Sequence, residues 1–226
     1  MNILLLETSG LYCSVAICDE NQILSSVITD KPNAHSELLA PLIRQVLDHS
    51  TVHIKDINAI AISHGPGSYT SLRVGVSTAK AMCLALSIPL ISIPTDEILM
   101  NGIADLDIRT EDIIVSMIDA RRMEVYYSVW DSFRQLTNPL KAINFEIESL
   151  KLESQGNIHI CGSGAQKYKQ MHSEKKLLLH HEHPISEHME KAAREYFKQK
   201  NFVNIGEYSP YYFKEPNITK SNKKII

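Results

Sequence analysis

The segment that most constrains the fold is the run HGPGSYTSLRVG at residues 64–75. It follows an apolar run at 57–63 that predicts a buried strand, and it opens a helical pattern that continues to residue 86. Gly65 and Gly67 allow tight backbone conformations, and Pro66 stiffens the turn between them. Ser68 or Thr70 can cap the helix by accepting a hydrogen bond from its free N–H groups. This order of strand, glycine turn and helix predicts a site for an anion.

The same helix carries small residues at a spacing of four: Gly75, Ala79 and Cys83. Residues four apart share one helix face, so a second helix could lie close against this one. The segment therefore predicts a docking surface as well as an anion site.

The composition describes an ordinary globular chain. Its 226 residues, 44% hydrophobic and 22% charged, suffice for one large domain or two small ones. A net charge of −3 predicts no global attraction to nucleic acid or anionic membrane, so such contacts would need a local basic patch or a partner. Four scattered cysteines without a C-x-x-C pair indicate reduced, buried thiols. With no signal-peptide pattern and no membrane-length apolar run, we expect a cytoplasmic protein without membrane contact.

Apolar patterning predicts two α/β units and a tail. The first unit, 1–94, should hold strands at 3–7, 13–18, 23–28, 57–63 and 88–93, with helices at 36–49, capped by Ser36, and at 70–86. The second unit, 95–208, should hold strands at 113–118, 124–130, 157–161 and 177–180, with helices at 165–171 and 185–200. Residues 133–156 carry no firm pattern, and residues 209–226 read as a basic, flexible tail.

Several strings resemble the TsaB (YeaZ) family. They are LETS at 6–9 followed by CSVA at 13–16, HSELLAP at 35–41, GPGSYTSLRVG at 65–75, DARRMEVY at 119–126 and SPYY at 209–212. The resemblance is specific over residues 1–130. It implies the duplicated fold of actin, Hsp70 and sugar kinases, which is ribonuclease H-like, with a divergent second half. The family usually has Asp in place of Glu7 and commonly Gly in place of Ser71.

The resemblance also implies a function without catalysis by this chain. It predicts a scaffold that binds TsaD, the enzyme that forms N6-threonylcarbamoyladenosine at adenosine 37 of tRNAs reading codons that begin with A. An ATPase, TsaE, is expected on the complex, with ATP or ADP at the subunit junction and tRNA contacted indirectly. The chain alone is expected to form a weak homodimer. No tightly bound cofactor, metal or catalytic residue is expected.

In the family, the two long helices of the first unit pair with the equivalent helices of TsaD. The residues predicted for this interface are His35, Leu38, Leu39, Leu42, Ile43, Val46, Tyr69, Leu72, Arg73, Val76, Ala79 and Lys80. Burying about six aliphatic side chains would gain roughly 9–18 kcal/mol. Association costs roughly 4–15 kcal/mol, so self-pairing should be weak and a better-matched partner should displace it.

A second set of residues is predicted to contact an anion or nucleotide. It consists of Glu7, Thr8, Ser9, Gly65, Gly67, Ser68 and Arg73. Glu7 stands where ATP-using relatives hold a catalytic acid. Its alternative role is structural, as a carboxylate that accepts N–H bonds from Ser9 and its neighbours.

The histidine pattern argues against a catalytic metal. TsaD binds its metal through two histidines one helical turn apart, whereas Leu39 stands four positions after His35. A lone histidine is a poor site for a divalent metal. His180, His181 and His183 are predicted to lie in a solvated turn, and Asp119 with Arg121 to form a structural ion pair.

Two other functions remain as alternatives. An independent ATP-binding, kinase-like enzyme of the same fold would need a second acid near Glu7, and a metallopeptidase would need a second metal-binding histidine. The tail lysines Lys214, Lys220, Lys223 and Lys224 either contact tRNA phosphates or remain solvated.

Overall fold

A computed structural model describes residues 1–103, 108–172 and 177–214. Its strands are β1 (Ile3–Glu7), β2 (Ser14–Cys18), β3 (Ile23–Ile28), β4 (Ala59–Ser63), β5 (Leu90–Ile93), β6 (Ile113–Asp119), β7 (Glu124–Asp131), β8 (Leu136–Asn144), β9 (Ile158–Cys161) and β10 (Leu177–Leu179). Its α-helices are α1 (His35–Ser50), α2 (Tyr69–Leu86), α3 (Thr95–Asn101), α4 (Ala165–Met171) and α5 (Glu190–Lys198). Short 3₁₀ helices span Ile54–Asp56 and Ser186–Met189.

The ten strands form two five-stranded sheets of the same topology. The first has the order β3-β2-β1-β4-β5, and the second has the order β8-β7-β6-β9-β10. In each, the first three strands are antiparallel neighbours, and the last two run parallel to the central strand. This repeated order confirms the predicted duplicated actin-like α/β fold.

Helices cover both faces of the first sheet. Alternate residues of β1 and β4, such as Leu4 and Ile62, pack under α1 and α2. The residues between them, such as Ile3 and Leu5, pack against Met189 and Ala193 from the late segment that ends in α5. The first sheet is therefore completed by residues that lie far along the chain, across the predicted boundary at residue 94.

The second sheet is the more divergent half, as predicted. Its connection between β9 and β10 contains α4, as α2 connects β4 and β5. Residues 145–157, between β8 and β9, contain neither helix nor strand, whereas the equivalent connection in the first half contains α1.

Several predicted details differ from the structure. Helix α3 and strand β8 were not predicted, and the predicted helix 185–200 divides into a 3₁₀ turn and α5. The predicted cap of α1 is wrong, because Ser36 lies inside the helix and Ala34 occupies the N-cap position without a side-chain cap. Ser68 does occupy the N-cap position of α2, but its hydroxyl lies 2.9 Å from the Ser71 hydroxyl rather than capping a backbone N–H.

Residues 209–214 of the predicted tail are described, and 215–226, which include Lys220, Lys223 and Lys224, lie outside the described residues. None of the helices in the described ranges combines the length and apolarity needed to cross a bilayer.

Candidate functional site

The glycine turn at the start of α2 is closed by the chain's own backbone. Gly65 has a φ of +109°, and a Cβ there would lie 2.5 Å from the carbonyl oxygen of Tyr211. A Cβ on Gly67 would lie 2.4 Å from the carbonyl oxygen of Ser9. That oxygen accepts the Ser68 N–H at 2.9 Å. One of the N–H groups predicted to bind an anion is thus already paired within the chain. The peptide bond between Gly65 and Pro66 in this turn is cis.

Glu7 lies at the end of β1, fully buried beside this turn. Its Oε1 accepts the Ser9 N–H at 2.8 Å and the Ser9 hydroxyl, whereas Oε2 has no hydrogen-bond partner among the described residues. Burial raises the pKa of this carboxyl to about 7, against the opposing effect of the hydrogen bonds from Ser9. These contacts match the structural role predicted as the alternative for Glu7.

Thr8 joins β1 to β4 and α2. Its N–H donates to the Ser63 hydroxyl at 3.0 Å, and its own hydroxyl lies 2.1 Å from the position of a Cβ on Gly75. Gly75 therefore lets α2 lie close to the chain's own sheet. The prediction that this small-residue face receives a second helix is wrong at Gly75.

Residues 208–214, termed the C-terminal strap, lie across the glycine turn. Tyr211 donates its N–H to the His64 carbonyl at 2.9 Å, and its ring stacks on the His64 ring at 5.5 Å. Lys80 donates to the Tyr208 carbonyl at 2.9 Å. These contacts fix the first part of the strap to the first sheet and to α2.

The other end of the strap reaches the second sheet. The Phe213 ring lies 4.9 Å from the ring of Tyr126 on β7, and Lys214 pairs with Glu124. The strap thus bridges the two halves of the fold over the turn. Lys214, predicted as a contact for tRNA or solvent, is in an ion pair within the chain.

Most side chains of the predicted partner interface pack in the chain's own core. The buried members are His35, Leu39, Leu42, Ile43, Val46, Leu72, Val76 and Ala79. Leu38 and Lys80 are half-buried, and Tyr69 and Arg73 are exposed. The apolar stripes of α1 and α2 are used to cover the first sheet, so other residues form the accessible surface of these helices. The interface itself stays a prediction.

That accessible surface contains a groove of about 740 Å³ between α1, α2 and the segment 51–54. The groove is lined by Ala40, Ile43, Arg44, Leu47, Asp48, Thr51, Val52, His53, Ile54, Thr78 and Met82. Its lining combines aliphatic side chains with the charged, exposed Arg44 and Asp48. The sequence analysis did not predict this site. Two features of the sequence could have pointed to it: Thr78 and Met82 lie four residues apart on α2, and Ile54 is an isoleucine that the structure leaves exposed.

The histidines predicted to be solvated are half-buried. His180 lies 2.9 Å from His159, whose other ring nitrogen lies 3.1 Å from Asp112. The His181 ring packs edge-on against the His188 ring at 4.6 Å. His35 is buried, and burial lowers its pKa, which favours the neutral ring. The described residues include no group of three or more side chains suited to hold a metal ion.

Asp119 forms an ion pair with a different residue from the one predicted. Its carboxylate lies 2.6 Å from Lys167 Nζ, and Arg121 contributes its backbone N–H at 2.6 Å. Arg121 and Arg122 follow β6 with φ angles of +71° and +50°, and both side chains are exposed.

Comparison with known proteins connects this geometry to one family. Residues 22–206 match the family model described as TsaD, tRNA N6-adenosine threonylcarbamoyltransferase. The tRNA threonylcarbamoyladenosine biosynthesis protein TsaB of Buchnera aphidicola is 30% identical over 158 residues, which cover 66% of this chain and 70% of that protein. The TsaB proteins of Escherichia coli and Bacillus subtilis are also 30% identical, over 57% and 58% of this chain, and the alignments span 54% and 55% of their lengths.

Solved structures of other proteins show the same fold. YeaZ from Pseudomonas aeruginosa superimposes with a TM-score of 0.81 and 23% identity, over 94% of this chain and 99% of its own. The activator of 2-hydroxyisocaproyl-CoA dehydratase from Clostridium difficile, solved with bound ADPNP, gives a TM-score of 0.52 at 8% identity, over 90% of this chain and 99% of its own. From the sequence relatives and this shared fold, the chain belongs to the TsaB (YeaZ) family of tRNA threonylcarbamoyladenosine biosynthesis proteins.

Proposed function

We propose that this protein acts in tRNA threonylcarbamoyladenosine formation as a subunit that docks on a TsaD-type transferase and does not itself transfer the group. The observation that carries this proposal is the groove between α1 and α2. It lies on the pair of helices that the family resemblance assigns to the partner, and it keeps apolar side chains in contact with water.

The groove has the composition of a protein interface. Among its lining residues, Ile54 is 46% exposed, and Leu47 and Met82 are half-buried. Interfaces combine an apolar centre with a polar rim, which matches these side chains and the charged Arg44 and Asp48. Apolar area removed from water contributes about 25 cal/mol per Å², so a partner helix that fills the groove would be stabilised by contact with its apolar lining.

The glycine turn supports a role without independent phosphoryl transfer. Phosphate sites at helix N-termini use free backbone N–H groups, but Ser68 donates its N–H to Ser9. Glu7 is fully buried, and the strap lies across Gly65. A kinase-like function would require these contacts to open. A metallopeptidase function would require more ligands than His35 offers.

The remaining components follow from the resemblance. We infer that the complex is cytoplasmic and recruits a TsaE-type ATPase. ATP or ADP binds at the junction between the subunits rather than on the isolated chain. Without TsaD, the chain pairs weakly with a second copy.

Ile54→Lys should weaken the complex with TsaD by at least about 2 kcal/mol, roughly 30-fold in dissociation constant. The lysine would place a charge in the apolar lining of the groove without disturbing the core, because Ile54 is half exposed in the isolated chain. A charged residue in place of the buried Leu42 would disrupt the core, so that substitution would test folding rather than binding. Titration calorimetry with purified TsaD measures the change, and tRNA modification by the reconstituted set should fall with it.

Ile147→Lys is the matched control. Ile147 is another exposed isoleucine, at 79%, and it lies beyond β8 in the second half of the chain. The Ile147→Lys substitution should leave the affinity for TsaD unchanged. If the Ile54→Lys protein bound TsaD as tightly as the parent does, the interface would lie elsewhere. If tRNA modification by the reconstituted set proceeded without this protein, the proposed function would be rejected.

A further inference from the structure

A second surface, which includes part of the strap, combines aromatic and cationic side chains that are exposed, except for the half-buried Tyr212. It consists of Tyr69, Arg73, Arg121, Arg122, Tyr211 and Tyr212, and is termed the aromatic–arginine strip. The strap makes it continuous. Tyr211 contacts Phe213 at 6.2 Å, and Phe213 contacts Tyr126 on β7, the strand that follows the turn containing the two arginines.

The first part of the strip is a cluster of three side chains in contact, Tyr69, Arg73 and Tyr212. The Arg73 guanidinium lies 5.0 Å from the centre of the Tyr69 ring, and that ring lies 4.8 Å from the Tyr212 ring at 38°. Tyr69 is 40% exposed and Tyr211 is 42% exposed. Aromatic rings and guanidinium planes that face solvent are platforms on which unpaired nucleobases stack.

The charge of the strip is positive although the chain as a whole carries −3. The two carboxylates that flank Arg121 and Arg122 in the sequence are each paired with a lysine, Asp119 with Lys167 and Glu124 with Lys214. These two carboxylates therefore do not neutralise the side chains of Arg73, Arg121 and Arg122, which give the strip three positive charges. Arginine and lysine near a nucleic acid backbone provide a salt-dependent attraction to phosphates.

We propose that the aromatic–arginine strip binds unpaired nucleotides of RNA directly, with bases stacked on Tyr69 and Tyr212 and phosphates held by the arginines. The choice of RNA rests on the proposed function. The binding surface itself does not depend on TsaD.

The strip and the groove lie on opposite sides of α2. Arg73 and Met82 are nine positions apart, which is about 180° around a helix with 3.6 residues per turn. Lys80, seven positions after Arg73, lies on the strap side and bonds to Tyr208. A partner confined to the groove would therefore leave the strip accessible to RNA, and this proposal assigns Tyr69 and Arg73 to RNA rather than to the interface predicted from the family resemblance.

The salt dependence of RNA binding tests the arginines. Fluorescence anisotropy of a labelled 12-nucleotide single-stranded RNA is measured with the full chain between 50 and 200 mM salt. For Arg121→Ser/Arg122→Ser, the slope of log affinity against log salt should fall in magnitude by about 1.4, or about 0.7 for each lost phosphate contact on a single strand. Lys55→Ser/Lys198→Ser, which removes the same charge from exposed positions outside the strip, should keep the slope of the parent protein.

Substitutions of Tyr69 test the stacking. Tyr69→Leu should weaken RNA binding by about 5- to 150-fold, because a stacked base loses its aromatic partner. Tyr69→Phe keeps the ring and should bind as the parent protein does. The proposal is overturned if the parent chain does not bind the RNA, if both double variants change the slope equally, or if the Leu and Phe variants bind alike.

Binding to TsaD separates this proposal from the proposed function. Arg121→Ser/Arg122→Ser should still co-elute with TsaD, and Ile54→Lys should still bind the RNA. If Ile54→Lys lost RNA binding, the assignment of RNA to the strip would be contradicted. If neither the parent nor any variant bound TsaD, only the proposed function would be rejected.

Discussion

Gly67→Ala should lower the free energy of unfolding by about 3 kcal/mol, the upper part of the usual range for overpacking. The new Cβ would lie 2.4 Å from the Ser9 carbonyl oxygen and 2.8 Å from the Ser9 Cβ. Ser9 cannot easily move away, because its N–H and hydroxyl bind Glu7 and its carbonyl accepts the Ser68 N–H. Denaturant unfolding followed by circular dichroism measures the loss.

Gly206→Ala provides the comparison for this substitution. Gly206 is exposed, and the nearest atom to an added Cβ is the Asn204 side-chain oxygen at 3.4 Å. Its effect should stay within about 0.5 kcal/mol. If Gly67→Ala were equally mild, the backbone of Ser9 would not be fixed against the turn as the hydrogen bonds indicate.

Glu7→Gln should remove a pH dependence of stability worth about 3 kcal/mol. Burial raises the pKa of Glu7 from 4.5 to about 7 in the folded chain. Between these values the folded state keeps the proton and the unfolded state loses it, so stability falls as the pH rises through this window. Above about pH 7 both states are ionised, and the contribution no longer changes. A glutamine stays neutral throughout.

Chemical unfolding at pH 5 and pH 8 measures this effect. Relative to the parent protein, Glu7→Gln should gain about 2.5 kcal/mol on going from pH 5 to pH 8, because part of the effect already lies below pH 5. Glu153→Gln, which alters an exposed carboxylate, should show no such gain. A Glu7→Gln protein with the same pH profile as the parent would mean that this carboxyl stays ionised in its buried position.

Much of the first half of the fold could be predicted from local patterns. The strands β1 and β4 are continuous apolar runs between turn residues, and the stripes of α1 and α2 are broad enough to identify both helices. In contrast, β8 contains Pro139 and is largely exposed along one face, so its pattern resembles that of a loop. Helix α3 is only seven residues long and offers about two turns of periodicity.

The candidate site was harder to predict, because periodicity identifies an apolar face but not what covers it. Leu39, Leu42 and Val46 have the spacing of a docking face, yet they pack on the chain's own sheet. The groove depends on Ile54 lying beside α2, a contact that no local pattern encodes. The structural contacts of Glu7 with Ser9, two residues away, were predictable because they are local.

The packing of α5 against the first sheet affects how a nascent chain folds on the ribosome. The face of the sheet that carries Ile3 and Leu5 stays uncovered until Met189 and Ala193 have been synthesised. About 100 residues separate the end of β5 from Ala193. At 5–20 residues per second, their synthesis takes roughly 5–20 s. The first half of the protein therefore emerges from the ribosome with one side of its sheet exposed to chaperones and to other chains, and it completes folding only after α5 has been synthesised.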